Sequence, residues 1–186
     1  MSFNLSWDLF IIVFFALVIS YSFIIGKKEA VKIILSSYVA IVAVQGIGNF
    51  TQRLFGFAET QSMLSVVGIP LDTTMTSILK LTLFITIIVF LAVKAGFHVQ
   101  YGNDGTIWVS MAMTAAAGFA TAGLLLATLL TFIAGAPLLD MHVTATPGLA
   151  AILEQSQLMS LMISNLDVWF TLPAAVLITA GILSNH

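Results

Sequence analysis

Long apolar runs separated by short clusters of charge organise this chain. Leu9 to Gly26 offers 18 residues without a charged side chain, Ile33 to Gln52 offers 20, Gly105 to Leu139 offers 35 and Val168 to His186 offers 19. About 20 helical residues cross the hydrocarbon of a bilayer, so each run predicts a membrane helix. Leu81 to Val93 is only 13 residues, but Ile78 and Leu79 precede it and Ala95 to Phe97 follow. Lys80 and Lys94 can extend their ammonium groups towards opposite interfaces, which makes this a fifth span. The pattern therefore predicts an all-α, polytopic helical bundle with spans near 9–26, 33–52, 77–97, 106–135 and 168–184. At about 1.5 Å per residue the 35-residue run would extend about 50 Å. It is strongly tilted, projects from the bilayer, or breaks near Ala115 to Gly123.

The polar connections are short. In ETQSMLSVVGIPLDTT (Glu59 to Thr74), the apolar patch Met63, Leu64, Val66 and Val67 precedes Gly68, Pro70 and Asp72. This order predicts an interfacial piece, then a turn, with Asp72 placed to cap the third helix. In TPGLAAILEQSQLMSLMISNLD, Thr146 and Pro147 suit the N-cap and first position of a helix. The polar block Glu154 to Gln157 then interrupts the apolar pattern, and Ser156 and Ser160 share a face with Leu149 and Leu153. Two short helices lying on the membrane, or one helix packed on several sides, fit this segment.

Composition points the same way. Sixty per cent of the 186 residues are apolar and 8 per cent are charged, against about 25 per cent charged in an ordinary soluble domain. No linker, charge block or repeat divides the chain, so residues 1–186 form a single membrane unit. With no cysteine there is no disulfide, thiolate metal site or cysteine nucleophile. A net charge of −2 provides no basic patch for nucleic acid.

What charge there is sets the threading. Three of the six basic residues, Lys27, Lys28 and Lys32, lie between the first two apolar runs, and short basic loops stay on the cytoplasmic side. The start MSFNLSWD has no basic residue and carries Asp8, the wrong polarity for a cleavable signal peptide. The first span is thus expected to be an uncleaved anchor with its N-terminus outside. Lys94 then falls inside, the segments Arg53 to Thr76 and Pro137 to Asn165 outside, and the C-terminus in the cytoplasm.

Within the spans, small residues dominate one stretch. Ala116/Ala120 and Gly118/Ala122 stand four apart, and with Gly123 they form a surface that a neighbouring backbone can approach closely. Gly46 and Gly48 offer the same in the second span. Ordinary packing within the chain is the expected use, ahead of a dedicated dimer motif. Thr82 and Thr86 are expected to bond back to their own helix rather than line a pore. Gln45 is the best polar candidate within the membrane, for an interhelical hydrogen bond ahead of a substrate contact. Pro173 predicts a kink whose freed carbonyls find other partners.

Candidate chemistry is sparse. His98 and His142 fall in loops and His186 is terminal, which argues against a bis-histidine haem. Asp8 can pair with Lys80 near the outer surface, but a single pair is not a catalytic dyad. No HExxH, GxSxG, GxGxxG or P-loop pattern occurs. The expectation is therefore no catalytic residue, no metal and no cofactor.

The opening WDLFIIVFFALVISYSFIIGKKEAVKIILSSYVAIVAV resembles that of the colicin V production protein family. The shared features are an acidic residue before the first span, then a glycine and a basic-acidic pair in a tight inner loop, then a second span. The later AAGFATAG is similar to the Gly-rich final core helix of that family, and together the matches cover roughly the first 135 residues. Gly26 stands three before Glu29 where the family more often has four, and Lys28 replaces the common Arg. The basic residue usual between the glycines is missing, and a fifth span is added. The resemblance implies a non-enzymatic inner-membrane protein associated with export or envelope maintenance.

Two function classes follow. One is a structural or accessory subunit whose helix faces and outer segments bind other membrane proteins. The other is a small channel or transporter, self-associated around Gln45, Thr82 and Thr86. The first fits better, because most charge-free faces offer packing and few offer a hydrated path. The partners expected are the lipid bilayer and other membrane proteins or further copies of the chain, with no nucleic acid.

Overall fold

A computed structural model describes residues 7–55, 73–94, 107–133 and 156–183. Among these the chain is wholly helical, in the order α1 (Trp7–Phe55), α2 (Thr73–Lys94), α3 (Ile107–Ile133), α4 (Gln157–Ser164) and α5 (Leu166–Leu183). By length and composition α1 (over Trp7–Phe50) and α3 can each cross a membrane, and α4 with α5 makes a third candidate if that bent pair is one span. Glu59 to Asp72, the Thr146–Pro147 helix start and all three histidines lie outside the described residues.

The first element is not a rod. Its 49 residues would extend about 74 Å if straight. Gly26 interrupts it with φ 79° and ψ 169°, a region essentially closed to residues with a Cβ. The limbs on either side, 7–25 and 27–55, touch α3 in opposite directions. Ile11 clusters with Leu126 and Leu130, whereas Ile19 and Ser22 lie against Gly118. Past the glycine, Ala30 and Ile34 cluster with Ala117, and Ala40, Ile41 and Val44 with Leu124 and Phe132. Contacts that descend α3 and then climb it again require the chain to fold back at Gly26. The two apolar runs expected as separate spans thus form two antiparallel limbs.

Both limbs rest on α3, which is the axis of the fold. It is continuous over 27 residues, about 40 Å, and does not break between Ala115 and Gly123. The break held open above is therefore excluded. Alanine is the best helix former, and each small residue there lets a neighbour approach without deforming the helix. Thr114, Thr121, Thr128 and Thr131 on this helix are all buried. Their hydroxyls donate to the carbonyls of Ser110, Ala117, Leu124 and Ala127 at 2.7–2.9 Å. Residues that are only modest helix formers are in this way satisfied without leaving the helix.

The remaining elements close the bundle. α2 packs Phe84 against Phe132, ring centroids 5.4 Å apart. α4 and α5 meet at a 71° bend centred on Asn165, whose amide donates to Leu161 O at 2.8 Å. Pro173 lies inside α5, where it lacks the N–H that the preceding turn would take. The carbonyl this frees is that of Trp169, four residues back, and the Tyr38 hydroxyl donates to the next one, that of Phe170, tying the same turn to the second limb of α1. Large apolar side chains, among them Leu17, Ile24, Val42, Val93 and Trp108, are left on the outside. A soluble monomer rarely exposes so continuous an apolar surface, and lipid accommodates it.

Candidate functional site around the central helix

α3 is where small side chains are put to use. A Cβ added at Gly118 would stand 2.9 Å from Ser22 Cβ and 3.1 Å from Ile19 Cα, so the first limb's backbone approaches there. At Gly123 it would overlap the Trp169 indole, 2.6 Å from Cζ3. Ala120 and Ala122 are wholly buried between these contacts, and Ala116 is half-buried. In lipid the apolar surface of a helix gains little by leaving its solvent, so dispersion over such close contacts carries the association.

The other two glycines expected to act this way do not. Gly46 is exposed, with nothing within 4 Å of the position a Cβ would take. Gly48 receives the end of a side chain, not a backbone: Lys80 Cε is 3.1 Å from that position. Gln45 is half-buried, and both it and Trp7 stand 19 residues from Gly26, about 28 Å along their limbs. It therefore sits level with the first turn of α1. Thr82 and Thr86 donate to Ile78 O at 2.9 Å and Thr82 O at 2.8 Å, the back-bonding expected of them.

Beside Gly123 an aromatic cluster fills the space between elements. Phe15, Phe119 and Trp169 have ring centroids 5.2–5.8 Å apart, within the range where tilted and edge contacts are favourable. Trp169 Nε1 and Ser36 Oγ are buried with no hydrogen-bond partner.

At the end of the bundle away from Gly26, Asp8 has a partner the sequence did not suggest. Its Oδ1 accepts from Ser156 Oγ at 2.6 Å and from the Leu158 amide at 3.2 Å. Ser156 is the N-cap of α4 and accepts from the Met159 amide at 3.0 Å. Two unpaired amides of the first turn are thereby satisfied, and Met159 and Met162 are pressed onto Ile11, Leu126 and Leu130. The pairing of Asp8 with Lys80 does not form, because Lys80 lies on Gly48 while Asp8 holds α4. A serine just before QLM is itself an N-cap signal, but nothing local to it indicates Asp8.

At the opposite end the Gly26 reversal gathers Lys27, Lys28 and Lys32. Lys27 is 9% exposed and points into the bundle, Lys28 is exposed, and Lys32 pairs with Glu29 at 2.6 Å. Lys94, at the far end of α2 from Lys80, is exposed. Among the described residues, no group of three or more His, Asp or Glu could hold a metal ion. No family model, curated protein or solved structure matches this chain. What the arrangement does chemically is to hold helices together: among the described residues its hydroxyls are largely engaged by their own backbones, and the Asp8 carboxylate by a helix cap.

Proposed function

We propose that this chain is a non-enzymatic, multi-pass membrane protein that serves as an accessory subunit of a membrane complex. In this reading it crosses the bilayer five times, with the N-terminus outside and the C-terminus in the cytoplasm. The observation that carries the accessory role is the state of the hydroxyls. Thr82, Thr86, Thr114, Thr121, Thr128 and Thr131 all donate to their own helix, which favours a packed scaffold over a wall lining a hydrated path. Its Gly/Ala-rich centre is filled by the chain itself, while the outer faces of α1 and α2 stay apolar and open.

The threading is supported by two features. The limbs of α1 give the first two crossings, and the turn between them carries Lys27, Lys28 and Lys32 against Glu29 alone. Charge of this sign is retained in the cytoplasm. The resemblance of the opening to the colicin V production protein family extends the reading to a bacterial inner membrane and to export or envelope function.

Native mass spectrometry after gentle solubilisation from the native membrane tests the proposal. Recovery with fixed amounts of other membrane proteins supports the accessory role. A homogeneous oligomer of this chain alone overturns it, and ion flux through that oligomer in liposomes would establish the channel reading.

A further inference from the structure

The cytoplasmic end of α1 carries a feature that threading alone does not require. Lys28 and Lys32 lie one turn apart on the same side of the second limb, where like charges repel. Continuing at helical spacing, Leu35, Val39 and Val42 stand above them on that side. Leu35 is half-buried, and Val39 and Val42 are 47% and 71% exposed. Lys32 gives one donor to Glu29, and an ammonium has three. From Lys32 to Val42 the helix rises about 15 Å, the depth of one leaflet of a hydrocarbon core of about 30 Å.

We propose that this face is a binding site for an anionic diacyl phospholipid of the cytoplasmic leaflet. The headgroup phosphate lies between Lys28 and Lys32 and relieves their repulsion, while the acyl chains run along Leu35, Val39 and Val42. Charge complementarity selects the headgroup. The length of the apolar track selects a membrane lipid over a small anion. Gly26 keeps the site in place, because the reversal sets the two lysines at the very start of the limb and level with the headgroups. The inference rests on the integral-membrane reading, and goes beyond it by naming a ligand and the side chains that select it.

The test uses the full chain reconstituted into vesicles of equal amounts of phosphatidylglycerol and phosphatidylethanolamine. Flotation after alkaline carbonate washing first establishes insertion. Lipid retained on the protein is then counted by native mass spectrometry. The retained lipid is expected to be enriched in phosphatidylglycerol roughly thirtyfold, from two lysines acting near a membrane surface. The double variant Lys28→Gln with Lys32→Gln is expected to bring this near unity. The double variant to Arg should keep it, as should Lys80→Gln, which removes one positive charge at the opposite end.

Equal retention of both lipids by the inserted protein overturns the lipid site and leaves the membrane reading standing. Failure to float overturns both. Loss of enrichment in Lys80→Gln would reduce the effect to net charge and overturn the site. So would displacement by excess inorganic phosphate, which points to a small-anion site, or lipid-free dimers joined through this face.

Discussion

Gly46 and Gly123 are alike as letters and opposite in context. The first faces open space, and the second lies under the Trp169 ring. Replacing Gly123 with alanine forces the half-buried indole off α3 and out of its contacts with Phe15 and Phe119, which is expected to cost about 1–3 kcal/mol. Gly46→Ala meets nothing and adds helix propensity, so stability is expected to rise by up to about 1 kcal/mol. Unfolding of both variants in the same detergent checks the pair, and equal shifts would refute the assignment of Gly123 to packing. Gly26 differs from both because its constraint is conformational. Nothing lies within 4 Å of it, yet at φ 79° and ψ 169° a side chain costs on the order of 1–3 kcal/mol. Gly26→Ala should therefore destabilise the hairpin despite the free space around it, as read in the same unfolding assay.

α4 and α5 are held in addition where a polar group on another helix meets a need of their backbones. α4 has only eight residues, too few to persist unaided. It is kept by its Ser156 cap, by Asp8 reaching across from α1, and by two methionines buried beneath it. Ser156→Ala is expected to remove about 1 kcal/mol from this helix. Asp8→Ala, which removes the acceptor for both Ser156 and Leu158, should act on the same element. Hydrogen exchange is expected to accelerate over 157–164 in each variant while α2, which has no part in this network, keeps its protection. Uniform acceleration over all the helices would mean that the cap stabilises the whole bundle and not α4. Tyr38 plays the corresponding part for α5, supplying a donor to the turn ahead of Pro173. Tyr38→Phe should cost about 0.5–1.5 kcal/mol, seen as a lower unfolding midpoint.

Among the described residues the molecule is a hairpin and three further helices gathered round α3. If the hairpin crosses the membrane twice, its turn and its far end face opposite compartments. The chain has no cysteine, so single introduced thiols report this directly. Lys28→Cys is expected to react with an impermeant reagent only from the cytoplasmic side, and Arg53→Cys only from outside. Reaction of both from one side would show that the second limb does not cross.

Much of this organisation is written locally along the chain. Which helices are long and apolar enough to cross a membrane follows from charge-free runs of sufficient length, because the cost of placing a charge in hydrocarbon is set by the residue and its near neighbours. The turn between the limbs was legible for the same reason, as the charges of GKKE interrupt an apolar sequence otherwise long enough for two crossings. Back-bonding of Thr82 and Thr86 was also foreseeable, since the acceptor lies four residues away on the same helix. Tertiary structure alone decided that α3 is the axis and unbroken, that Gly123 receives Trp169 while Gly46 receives nothing, and that Asp8 caps a helix 148 residues further on. A small or polar residue states only what it can accept. The partner it meets depends on which helices come together, and residues remote in the chain set that jointly.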